Sequence, residues 1–225
     1  MPDASSSSHD AVASVRPVVL LVGATGLVGQ QCLKLLTEDP AVGTVRALVR
    51  RPMAIESSKV QVRVVNFDRL EQHAEWMAAD WVVCALGTTR GKAGSKAAFR
   101  QVDFDYPLQV AQLAKAQGAR HFLLVSAVGA NARSRVFYNR VKGELEEAIG
   151  GMGFDSVTFA QPSLLAGERA EFRLGERIAL KLGGLMPERL QPVSARQVAL
   201  GLLNAAKAGR PGVHVLSNTE LRRAT

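Results

Sequence analysis

The sequence predicts a single α/β domain, a parallel sheet covered by helices on both faces. Two observations carry that prediction. Apolar runs of strand length alternate with segments of helical period along nearly all of the 225 residues. Directly after the first run stands a glycine-spaced turn, GATGLVG at 23–29, of the kind that leads from a strand into a helix. A domain of this size can bury roughly 70% of its unfolded surface.

The first run, VVLLV at 18–22, reads as a strand, and GLVGQQCLKLLTE after it places Leu27, Val28, Cys32, Leu35 and Leu36 on one helical stripe. Three more strands are expected at 44–49, 60–65 and 81–86. Residues 102–118 read as a helix with Pro107 near its start, where a missing N–H is tolerated, and Gly118 at its end. A strand at 121–127, a helix at 134–150 and a strand at 156–160 closed by Pro162 continue the alternation. Helices at 174–183 and 194–208, the latter begun by Ser194, and a short strand at 213–216 complete the domain over 16–225. Residues 163–212 within it are expected to hold a small substrate-covering region. Residues 1–15 are serine-rich and read as a disordered tail, with too little apolar surface to offset their ordering entropy.

Composition excludes several classes. The net charge of +8 is spread without a run of five basic residues, and only 5% of residues are aromatic, so no base-stacking platform is expected. A basic enzyme with affinity for phosphorylated ligands is expected instead of a nucleic-acid binder. No apolar run nears the ~18 residues that span a bilayer. The first residues lack a basic region followed by an apolar stretch, and no arginine precedes Arg16, so neither a secretory nor a transit signal is read there. Cys32 and Cys84 lie in apolar segments and read as reduced core thiols, which with the missing signals points to the cytoplasm. His9, His73, His121 and His214 are scattered, without metal-ligand spacing.

The turn at 23–29 suits a phosphate. Gly23, Gly26 and Gly29 let backbone N–H groups approach a pyrophosphate at the positive end of the next helix, with Thr25, Leu27 and Val28 as the other contacts. The second strand ends in ALVRRP, with Arg50 and Arg51 and no acid until Glu56. A carboxylate there would accept from a ribose 2′-OH and repel a 2′-phosphate, whereas guanidinium groups pair with it, so NADP(H) is expected over NAD(H). Asp68, after the third strand, could receive the adenine amino group or cap a helix, and both readings stay open. After the fourth strand, Leu86 and Gly87 bring backbone close to the ribose, with Thr88 and Arg90 reaching toward the cofactor; Lys92 and Lys96 read equally as surface charges.

Taken together, GATGLVG, SAVGA after the fifth strand and FYNRVKGE twelve residues on resemble the short-chain dehydrogenase/reductase superfamily. The longer strings LGTTRGKAG and FYNRVKGELE are similar to one atypical branch, the oxidoreductases related to the human Tat-interacting protein and their bacterial homologues. The resemblance covers roughly 17–220 and implies a doubly wound Rossmann fold, a bound NADPH and a Ser-Tyr-Lys set at Ser126, Tyr138 and Lys142. It assigns no residue here to the asparagine that many classical members add. The branch often shows Arg-Pro-Gly after the sixth strand, where this chain has Gln161, Pro162 and Ser163, with Pro162 placed where nicotinamide and substrate would meet.

Tyr138 and Lys142, four residues apart, share one helical face. A free phenol is only about 0.1% ionised at neutral pH. A fixed ammonium about 4 Å away, at an effective dielectric near 20, supplies on the order of 4 kcal/mol toward losing that proton. Tyr138 is therefore the expected acid for a small carbonyl substrate, Lys142 the group that holds ribose and biases the phenol, and Ser126 the group that orients the oxygen. The alternative expectation, also implied by the branch, is an NADPH-binding regulator that acts through a protein partner.

Overall fold

The computed structural model describes residues 16–166 and 187–225. Seven strands form one sheet: β1 (Val18–Val22), β2 (Thr44–Val49), β3 (Val60–Val64), β4 (Trp81–Cys84), β5 (His121–Val125), β6 (Ser156–Gln161) and β9 (Gly212–Ser217), which follows the two short strands given below. Their order is β3-β2-β1-β4-β5-β6-β9, and every neighbouring pair is parallel. The order reverses between β1 and β4, which opens a crevice beyond the carboxyl ends of these strands. The doubly wound fold is thus present. Two short strands, β7 (Leu165–Ala166) and β8 (Val193–Ser194), pair separately.

The central strands are apolar on both faces because both faces are covered. On one side Leu21, Val45 and Leu123 pack against α1 (Leu27–Glu38) and α6 (Ala195–Ala208). On the other, Leu20, Phe122 and Leu124 meet α4 (Tyr106–Ala116) and α5 (Phe137–Gly150). Each fully buried side chain of this kind contributes roughly 1.5–3 kcal/mol. Cys32 and Cys84 are buried free thiols in these opposite layers, their pKa values pushed up by burial to about 12 and about 11. The helix expected from Ser194 has that residue as its N-cap, in a reciprocal capping box with Gln197. The expected tail at 1–15 and helix at 174–183 lie outside the described residues.

The segment 90–116 differs from expectation. Beyond a short turn, α2 (Arg90–Ala93), a helix begins at α3 (Lys96–Arg100) behind the Ser95 cap and runs through to α4. Pro107 keeps its expected place in the first turn of α4, but α4 continues a helical rod that begins at Lys96. A proline there cannot donate to the carbonyl four residues back, that of Asp103, and its ring crowds that carbonyl. The rod accommodates it with a π turn over Gln101–Asp105, closed by the Tyr106 N–H donating to the Gln101 carbonyl. That turn buries Asp103. A short helix, α7 (Asn218–Arg222), ends the described chain.

Candidate functional site

The glycine turn leaves β1 with Gly23 at φ +87°, in the left-handed region where a side chain is strained. A Cβ there would press on the Ala85 carbonyl after β4, and one on Gly29 would press on the carbonyl of Gly23. Gly23 thus serves the turn and Gly29 the close packing of α1 on it. Gly26 is the N-cap of α1, with no side-chain cap and no acid in the first turn. The N–H groups of that turn remain for an anion at the positive helix end. Thr25 is exposed, Leu27 half-buried and Val28 buried, so the last two contribute backbone and packing.

Across the crevice, Lys142 and Asp103 form a buried ion pair at 2.8 Å, with 3% and 1% of the two side chains exposed. Burial alone would depress the lysine. The Asp103 carboxylate, aided by Tyr138, more than offsets it, and the Lys142 pKa stands above the ordinary lysine value. The second Asp103 oxygen accepts the Thr88 N–H at 2.9 Å. A Cβ on Gly87 would lie 3.4 Å from Asp103 Oδ1 and 3.8 Å from Lys142 Nζ, so the backbone at Leu86–Thr88 runs directly over the pair. Tyr138, one turn before Lys142, is half-buried against Phe99 at 5.6 Å between ring centroids. Asp103 was not recognised in the sequence, because helical periodicity gives no sign of a π turn.

Ser126 follows β5, its N–H donating to the Ala160 carbonyl of β6 at 2.8 Å. Its buried hydroxyl helps hold the charged form of Glu146, though the geometry falls short of a full hydrogen bond. Burial raises the Glu146 pKa, and the contacts from Ser126, Gln161 and Lys142 only partly restore it. Gln161 Nε2 donates to both Glu146 oxygens, at 3.0 and 3.1 Å. Pro162 is buried and its carbonyl accepts the Val128 N–H at 2.9 Å, tying together the loops after β5 and β6. Glu146 is a second residue that sequence reasoning missed; its spacing of four from Lys142 was the available signal.

At the other end, Arg50 and Arg51 are exposed just beyond β2. Asp68 does not cap the helical segment after β3: Asn66 does, by accepting the Asp68 N–H at 3.0 Å. The Asp68 carboxylate accepts from the Tyr106 phenol at 2.6 Å and from Gln101 Nε2 at 3.0 Å, along a groove of about 360 Å³. Burial and then Asp68 push the Tyr106 pKa up to about 12, with Arg50 pulling the other way, so Arg50 reaches the field of this groove. The bare helix end and the glycine turn fit the pyrophosphate of a dinucleotide.

The family described as NAD(P)H-binding matches residues 23–167. Protein HTATIP2 of Rattus norvegicus is 37% identical over 174 residues, covering 76% of this chain and 72% of that protein. The chain belongs to the NAD(P)-binding Rossmann-like family, in the Tat-interacting protein branch. A further member of this family, "Protein FMP52, mitochondrial" of Candida albicans, is 34% identical over 203 residues, 85% of this chain and 89% of the relative. Among solved structures, MoeE5 in complex with UDP-glucose and NAD aligns at a TM-score of 0.68 with 13% identity, over 88% of this chain and 74% of that one. ADP-L-glycero-D-manno-heptose-6-epimerase of Helicobacter pylori aligns at 0.67 with 14% identity, over 90% and 77%. These two speak to fold alone. The expectation of a cytoplasmic protein is corrected: relatives from several fungi are named as mitochondrial proteins. Reduced thiols do not separate the two compartments. Among the described residues no helix is long and apolar enough to cross a membrane, and no cluster of metal-ligating side chains occurs.

Proposed function

We propose that this member of the family is an NADP(H)-dependent reductase of small carbonyl compounds. One observation carries the reading: Tyr138 lies one turn from an ionised, buried Lys142 directly beneath the Leu86–Thr88 backbone of the dinucleotide crevice. NADPH, when bound, supplies a hydride to the carbonyl carbon. Tyr138 gives its phenolic proton to the carbonyl oxygen, and Lys142 favours that release by Coulomb attraction to the phenolate. Ser126, held by β6, orients the oxygen. The 2′-phosphate preference rests on Arg50 and Arg51, exposed at the end of β2 where no carboxylate stands.

A second reading, cofactor binding reported to a protein partner without turnover, draws on Asp103. Its carboxylate takes up part of the Lys142 charge that would otherwise act on the phenol.

The test is titration with NADPH and NADH, followed by a panel of aldehydes, ketones and quinones. NADPH should bind at least ~10-fold tighter, about 1.4 kcal/mol, and Arg50→Ala with Arg51→Ala should erase most of that difference. Tyr138→Phe should keep NADPH binding and lose about 10²-fold or more in reduction rate. Native turnover in the Phe variant removes the acid role. Tight NADPH binding with no turnover of any panel member favours the second reading.

A further inference from the structure

Two segments meet beside Tyr138 through the Phe99 ring, and the charged residues of both are all basic. Residues 88–100 carry Arg90, Lys92, Lys96 and Arg100, and residues 127–142 carry Arg133, Arg135, Arg140 and Lys142; neither stretch contains an acid. Aromatic contact holds them together. The Phe99 ring of α3 lies 5.7 Å from Phe137 and 5.6 Å from Tyr138, at the start of α5. Lys96 Nζ stands 5.6 Å above the Phe137 ring and the Arg140 guanidinium 5.7 Å from it.

The acids nearby do not balance these cations. Glu144 alone answers both Arg100 and Arg140, and Asp103 is committed to Lys142. Glu146 holds Gln161, and with Glu147 it borders a cavity of about 330 Å³ that Arg133 also lines. Lys96, Arg133 and Arg135 are exposed and make no side-chain ion pair among the described residues. On α1, by contrast, Lys34 faces Glu38 one turn on. A one-signed rim beside apolar rings raises the local concentration of anions.

We infer that this rim recognises an anionic group, so that the carbonyl compound presented to Tyr138 carries a carboxylate or a phosphate. The inference rests on the reductase reading for its reaction, though not for its binding. Lys96 and Arg135 attract the anion to the rim, while the carbonyl reaches the phenol below. Carboxylate and phosphate share this chemistry, and the experiment separates them.

Reduction of 4-carboxybenzaldehyde, 4-formylphenyl phosphate and benzaldehyde is compared by kcat/KM at low salt and at about 0.5 M KCl. In parallel, calorimetry measures benzoate, phenyl phosphate and benzamide binding to NADPH-saturated protein. The charged aldehydes should be favoured by roughly 10-fold or more at low salt, with most of that ratio lost at high salt. Lys96→Gln with Arg135→Gln should bring the ratio toward one; the better of the two anions names the group. Equal use of charged and neutral aldehydes, or a preference unmoved by the double variant, overturns the inference and leaves the reductase reading standing. No reduction, with benzoate or phenyl phosphate bound over benzamide and that binding lost in the variant, overturns the reductase reading and keeps the anionic rim. No reduction and no anion preference overturns both.

Discussion

Asp103 changes what Tyr138 and Lys142 mean at the scale of single residues. The four-residue spacing of phenol and ammonium was legible in the sequence, and so was the pressure it places on the proton. The carboxylate 2.8 Å from Lys142 was not. It keeps a fully buried lysine charged, which burial alone would oppose. Asp103→Asn keeps the shape and the acceptor for the Thr88 N–H but removes the counter-charge. The variant should lose about 3–5 kcal/mol of stability at pH 7, as a buried pair broken from one side does. The sign of its pH dependence follows. In the native protein the Lys142 pKa is raised, so its contribution is fully present below the unfolded value of 10.5. In the variant, burial pulls the lysine below that value, and the unfolded state binds the extra proton. The deficit should therefore narrow as pH rises from 7 toward 10. Urea unfolding at several pH values measures it, and an equal deficit at every pH would remove the counter-ion role.

At the scale of elements, the loop after β5 and the helix α5 form one unit. A Cβ on Gly143 would collide with the backbone of Asn131 and Ala132, and the Asn131 N–H donates to the Asn139 carbonyl at 3.0 Å. Helix and loop are in backbone contact, so neither can give way cheaply. Gly143→Ala should cost about 1–3 kcal/mol through overpacking, despite Ala being the better helix former, and should weaken the proposed reduction by shifting α5, which carries Tyr138 and Lys142. Thermal unfolding and kcat/KM check it; a variant as stable as the native protein would show that the loop yields. The strands and α1 were readable because their apolar pattern has a fixed period. The start of the rod at Lys96 is not legible, because Pro107 suits the first turn of a helix and the π turn before it has no period of its own.

For the whole molecule, His121 adds acid sensitivity from the end of the sheet opposite the crevice. Its ring is 3% exposed and bonded to Thr158 Oγ1 at 3.0 Å, and burial, followed by the nearby His214, lowers its pKa from 6.5 to about 4. The unfolded chain takes up this proton before the folded one. Stability should thus be full above pH 6.5 and decline by about 3 kcal/mol as pH falls to 4. His121→Gln should flatten that part of a chemical-unfolding profile; an unchanged slope would move the sensitivity to another group.

The sequence by itself determined the succession of strands along the chain and the glycine turn after the first of them, because periodicity and backbone freedom are local properties. It placed Ser126, Tyr138 and Lys142 as a set through resemblance and spacing. Only the tertiary structure decided who their neighbours are. Asp103 reaches Lys142 from a helix nearly forty residues away, Glu146 and Gln161 meet across α5 and β6, and two basic segments meet through aromatic rings beside one phenol. Such pairings carry no local pattern, because they depend on where the sheet sets each element down. The charge that a buried side chain keeps is fixed by those neighbours.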